Sequence, residues 1–219
     1  MFVIMFKRMF AIMIRRTIIR ILMFNRTIFT DVVQGIIIGG VLAFFTANLI
    51  INFEVRAMQT VVNGWTTTMQ CGVPGNGILL RAACAKVLPA VNVAQEAVYW
   101  TATVDSSGQT LNGQHDYVLH FPAGQLPPND AFWSLTMADA QDHFVDNPIN
   151  RYSVGDRSNL VPTADGSVDI YLQNSAPAGY ESNWLPAPAG DFKLWLRVYL
   201  PGASILDGTY NVPPVVKTN

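Results

Sequence analysis

Residues 32–53 carry no charged side chain, and Asp31 and Glu54 close the run at its two ends. As a helix rising about 1.5 Å per residue, the run spans roughly 33 Å, enough to cross a hydrocarbon core about 30 Å thick. It is longer than the apolar core of a cleaved signal peptide, about 7–15 residues, and residues 51–58 offer no small-x-small cleavage site. A retained, single-pass transmembrane helix is the prediction. Six bases (Lys7, Arg8, Arg15, Arg16, Arg20 and Arg26) and one acid precede it, whereas eight bases and fourteen acids follow. The basic flank should stay in the cytoplasm, placing everything after Glu54 outside it, on the periplasmic side of an inner membrane. The acidic remainder argues against nucleic acid, because phosphate neutralisation needs clustered Lys and Arg.

Residues 1–31 interleave Phe, Ile, Met and Leu with these bases. That pattern suits a helix lying along the inner membrane surface against anionic lipid. A translation start at Met23 is the alternative reading of this leader. Within the span, Gly35, Gly39, Ala43 and Ala47 recur every four residues and form one small-residue stripe, a face that another helix can approach closely. Gln34, Thr46, Asn48 and Asn52 flank it and are expected to seek partners in a neighbouring helix, either of a larger membrane complex or of a second copy.

Residues 54–95 read as an adapter. Cys71 and Cys84 bracket a Gly-rich stretch, and in an oxidising compartment a disulfide is expected. Two reduced thiols or a metal pair are the alternatives, although no further Cys or His lies nearby to complete a zinc set. Ile78, Leu79, Arg81, Ala82, Ala85 and Lys86 suit a short helix. From residue 96 to 219 the dominant signal is alternation with period two. Strands are predicted over 97–104, 115–121, 132–138, 168–174 and 192–200, with Gly/Pro/Asn/Asp turns between them. The fold class is mainly β, a sandwich or jelly roll behind one transmembrane helix. In the last segment Phe192, Leu194, Leu196, Val198 and Leu200 should face the core, leaving Lys193, Trp195, Arg197 and Tyr199 on the other side.

The strings AFWSLTMADA (131–140), NPINRYSVGDR (147–157), DGSVDIYLQ (165–173), ESNWLPAP (181–188), FKLWLRVYLP (192–201) and LDGTYNVPPVV (206–216) resemble the domain-of-unknown-function 1214 family. The resemblance covers roughly residues 96–216. It implies a β-rich, sandwich-like domain and no particular reaction. Longer members carry a preceding companion, the domain of unknown function 1254; here an anchor stands in its place.

No G-x-S-x-G elbow is present, and His115 and His120 sit an odd number of residues apart, so on one strand they face opposite sides. Neither a metal nor a cofactor is expected. The acids of residues 139–146 read as a solvated loop, since they lack the pattern of a calcium loop. The best candidate site is NPINRYSVGDR. There Arg151 and Arg157 offer planar forks for a carboxylate, phosphate or sugar hydroxyls, beside Asn147, Asn150 and Asp156. Asn183 and Trp184 could supply an aromatic lid. The stronger expectation is that these residues tie down their own backbone, as Pro148 and Gly155 suggest a fixed turn. Three functions follow in order: an accessory or structural subunit docked through its helix, a binding module for envelope glycans or lipid headgroups, and a hydrolase pairing Asp156 with Asp139 or Asp142.

Overall fold

The computed structural model describes residues 2–88 and 91–219, with the side chains of residues 1–8 and 10 outside the description. The chain forms two compact units that meet between Asn52 and Phe53, inside one uninterrupted helix, α1 (Phe2–Met58). No proline occurs before Pro74, so nothing in the leader removes a helical hydrogen bond. Polar side chains on the helix bond back to its own carbonyls: Thr17 to Met13 and Thr27 to Met23 at 3.0 Å, and Asn48 Nδ2 to Phe44 at 2.9 Å. One amide hydrogen of Asn48 is thereby engaged within its own turn. Between Ala11 and Met58 the helix is long and apolar enough to cross a membrane, and none of its most hydropathic window is buried. Nothing lies within 4 Å of where a Cβ would stand on Gly35 or Gly39, so the small-residue stripe is uncovered there.

The second unit holds β1 (Thr60–Val62), β2 (Trp65–Thr67), α2 (Ile78–Val87), β3 (Ala97–Ala102), β4 (Tyr117–Phe121), β5 (Asn129–Asp139), β6 (Ser153–Gly155), β7 (Val168–Gln173), β8 (Trp184–Pro186), β9 (Phe192–Pro201), α3 (Ala203–Leu206) and β10 (Val215–Lys217). Six strands form one antiparallel sheet in the order β1-β2-β3-β9-β5-β6. Four form a second, β10-β4-β7-β8, in which only β7 and β8 run parallel. Alternation gives each strand one apolar face, and the two sets of apolar residues merge into a single core. Phe192, Leu194, Leu196 and Val198 of β9 join Trp100, Trp133 and Leu135 from the larger sheet and Leu119, Phe121, Ile170 and Leu172 from the smaller. Rings meet across the layers, Tyr117 on Phe192 and Phe121 on Trp133, each at 5.8 Å between centroids. Each large apolar side chain buried this way contributes about 1.5–3 kcal/mol of transfer free energy.

Leu200 departs from the predicted alternation. It has φ +47° and is 48% exposed, because the β5–β9 register shifts between Asn129 and Phe132 and the strand turns out of plane there. The β1–β2 hairpin, absent from the predicted strands, turns on Asn63 and Gly64, both at positive φ, as a two-residue loop requires.

A smaller apolar cluster lies apart from this core. Cys71 and Cys84 are joined by a disulfide with Cα atoms 5.6 Å apart. With Met58 and Ala83 they are buried, packed by Val55, Leu80, Val87, Leu88 and Val91. Residues 80, 83, 84 and 87 follow helical spacing, so α2 turns one face onto the end of α1 and exposes Ile78.

Candidate functional site

The NPINRYSVGDR segment is built from local ties. Asn147 Oδ1 accepts from the Arg151 amide at 2.9 Å, while its Nδ2 donates to the carbonyls of Val145 and Arg151 at 3.1 and 3.0 Å. This side chain closes the loop on itself, and Asn150, at φ +50°, takes the left-handed position that Asn tolerates. The chain then enters β6. A Cβ on Gly155 would collide with the Trp133 carbonyl, so the pairing with β5 needs a residue without one. Asp156 accepts weakly from the Trp133 amide at 3.3 Å.

Arg151 brings the two predicted groups together. One guanidinium nitrogen donates to the carbonyls of Glu181 at 2.6 Å and Trp184 at 2.8 Å, holding the turn that leads into β8. Asn183 is 3% exposed, and its amide is fully engaged: Oδ1 takes the Val161 N–H at 2.7 Å and Nδ2 donates to Val161 and Asp169 carbonyls at 2.8 Å. Trp184 is buried as well, its Nε1 donating to Gln173 at 2.8 Å. These groups therefore join three loops to the smaller sheet. The ligand-binding reading of Asn147, Asn183 and Trp184 is corrected accordingly, because the polar atoms it relied on are directed inward.

The acid pairs are corrected too. Asp142 meets Lys193 at 2.6 Å, and Asp139 accepts the Gln141 and His143 amides at 2.8 and 2.9 Å. The His143 amide bond leads in holding the Asp139 carboxyl below its ordinary range. Asp156 bonds to residue 133 of β5, while Asp139 ends that strand and Lys193 pairs with Ala138. Five or six residues of strand at about 3.3 Å each separate them by roughly 17–20 Å, beyond the roughly 5–9.5 Å of a glycosidase pair. Among the described residues no group of three or more His, Cys, Asp or Glu is gathered for a metal ion. His120 instead faces Asp169 across β4 and β7 at 2.6 Å.

Arg157 lies elsewhere, on the outward face of the larger sheet. Its guanidinium carbon stands 4.3 Å from the centre of the Phe132 ring, which in turn stacks on Tyr199 at 4.4 Å and 23°. One register step along, Arg197 sits 5.8 Å from Trp195 and is flanked by Tyr99 on β3 and Ser134 on β5. Burial, then the neighbouring Tyr199, raises the Tyr99 phenol above its ordinary pKa. Trp195, Arg197 and Tyr199 do share this face, as alternation predicts. Phe132 joins it through the β5–β9 register and Arg157 through the β5–β6 pairing, which no local pattern announces.

Residues 96–203 match the family described as "Protein of unknown function (DUF1214)". The chain's β domain belongs to this family. The DUF1214 match runs from the residue before β3 to the first residue of α3, so β1, β2 and β10, which complete its two sheets, come from outside the matched stretch. A solved relative, the VPA0106 protein of Vibrio parahaemolyticus, is 29% identical over 66% of this chain and 36% of its own, with a TM-score of 0.57. A putative uncharacterized protein from Burkholderia cenocepacia is 14% identical over 80% of this chain and 49% of its own, with a TM-score of 0.37. The chain thus spans between a third and a half of the solved chains it matches. No curated protein matches it.

Proposed function

We propose that this chain is a single-pass inner-membrane protein that presents a DUF1214 β-sandwich in the periplasm as an accessory or structural subunit of a membrane assembly. The observation that carries the reading is α1: none of its most hydropathic window is buried, and it runs without a break into the disulfide-linked unit. A disulfide persists in an oxidising compartment, which agrees with the orientation that the six leading bases favour. The uncovered line of Gly35, Gly39, Ala43 and Ala47 is the face through which a helix of a larger complex, or of a second copy, would pack. Protease added to intact spheroplasts should digest the β domain and spare the leader; digestion of the leader alone would reverse the orientation. Extraction from native membranes in mild detergent should yield a complex, and a lone monomer would count against the subunit role.

A second reading rests on the outward sheet face. Arg157 and Arg197 lie against aromatic rings, and neither is among the ion pairs of the described residues. That arrangement suits an acidic envelope glycan, with rings stacking on sugar faces and guanidinium forks meeting carboxylates. Arg157→Ala and Trp195→Ala should each abolish retention on an immobilised acidic glycan while leaving the melting temperature within a few degrees of the parent. Unchanged retention in both variants removes this reading.

A further inference from the structure

The segment containing α2 carries a mixed apolar and basic surface and packs against the last turn of α1. Three observations converge on it. First, the charge-free run ends at Phe53, but the helix continues to Met58. Val55 and Met58 lie two and five residues further on, about 3 and 7.5 Å along the axis. A bilayer about 40–45 Å thick around a 30 Å core leaves roughly 5–7.5 Å for each headgroup layer, so these two residues lie within it. Second, α2 packs on both of them through Leu80, Ala83, Cys84 and Val87, and the sulfur atoms of Cys84 and Met58 are 4.0 Å apart. Cys71, joined to Cys84, is buried in the same cluster, so this face of α2 and the segment carrying Cys71 lie beside the last turn of α1. Third, the surface left over suits lipid better than water. Ile78 is 86% exposed, Val73 43% and Leu79 39%. Residues 54–95 contain Arg56, Arg81 and Lys86 against the single acid Glu54, whereas residues 96–219 hold five bases and thirteen acids. The positive charge of the part beyond the span is thus concentrated where anionic headgroups would meet it.

We infer that the disulfide-linked segment of residues 71–88 is a membrane-resting collar, with Ile78, Leu79 and Val73 at the headgroup–acyl boundary and Arg81 among lipid phosphates. The inference rests on the transmembrane reading of α1 and adds a second, interfacial contact with the same bilayer. An amphipathic surface seated this way gains from both apolar burial and attraction to anionic lipid. It would fix the height of the β domain over the membrane, because the collar can neither sink past its charged residues nor lift without exposing Ile78.

The test uses the full chain, reconstituted in nanodiscs of three parts phosphatidylcholine to one part phosphatidylglycerol. A photoreactive benzoylphenylalanine replaces Leu42 in the span, Ile78 in the collar or Leu126 on the β domain, one at a time. Lipid adducts are then read by mass spectrometry, with disulfide retention confirming the fold of each variant. The expected result is lipid labelling at positions 42 and 78, each several-fold above position 126. Labelling at 42 but only background at 78 overturns the collar and leaves the anchor standing. Background at both overturns the anchor as well. Labelling at 78 no greater than at 126 likewise overturns the collar.

Discussion

Replacing Asn183 with alanine separates a binding residue from a structural one. The amide makes three hydrogen bonds, to the Val161 N–H, the Val161 carbonyl and the Asp169 carbonyl, from a side chain that is 3% exposed. Each buried group left unpaired costs about 1–3 kcal/mol. Val161 is 60% exposed, so water can reach part of its backbone, whereas the Asp169 carbonyl lies within β7. Counting the Asp169 carbonyl in full and the Val161 pair at a discount gives about 2–4 kcal/mol, a large share of the 5–15 kcal/mol typical of a domain. For a unit of this size that corresponds to a fall in Tm on the order of 5–15 °C. Asn183→Asp should be at least as severe, since it sets a carboxylate against two carbonyl oxygens. The assay is thermal unfolding of the full chain in detergent, followed by near-ultraviolet circular dichroism. A loss under about 0.5 kcal/mol, the range of ordinary surface substitutions, would refute the reasoning and return Asn183 to the binding candidates.

Other perturbations test neighbouring parts of the argument. Gly155→Ala should break the β5–β6 pairing, because the added methyl meets the Trp133 carbonyl; faster amide exchange at residues 153–155 checks this. Cys84→Ser should cost about 3 kcal/mol for a loop of this length, with exchange rising across residues 71–88 before the separate β core responds. Asp165 is held below the ordinary carboxylate range, chiefly by the Thr163 hydroxyl and then by the Ser167 amide and hydroxyl. Its folded-state pKa lies below its unfolded one, so its stabilising contribution is present above about pH 4 and fades as pH falls below that. Acid unfolding of Asp165→Asn should therefore be less steep than that of the parent below pH 4, and superimposable curves would exclude this role.

Alternation was enough to place β3, β4, β5, β7 and β9, because each has one face in the core and the pleat repeats every two residues. It failed where that condition failed. β8 is three residues long, contains Pro186 and is buried throughout, so it carries no alternation. β6 and β10 are as short, and β10 pairs with β4, far away in sequence. The β1–β2 hairpin was legible in the sequence: Asn63-Gly64 between Val62 and Trp65 is a strong two-residue turn signal, and its flanks, though rich in Val, Thr and Trp, are only three residues each. For the site, an Arg- and Asn-rich loop with Pro148 and Gly155 already suggested a tied-down turn. The acceptors could not be read, because Arg151 bonds backbone carbonyls 30 and 33 residues away, and a carbonyl has no identity in the sequence.

The position of β9 governs the order in which the domain can be assembled during synthesis. It lies between β3 and β5, and its residues run to Pro201. Until that stretch has emerged, β3 and β5 each show an unpaired edge, which invites association with other chains. Closure also waits for residues 212 and 213, whose carbonyls receive Asn63 Nδ2 and Trp65 Nε1. A nascent chain of this protein therefore keeps its larger sheet open until the stretch from β9 to residue 213 has been made.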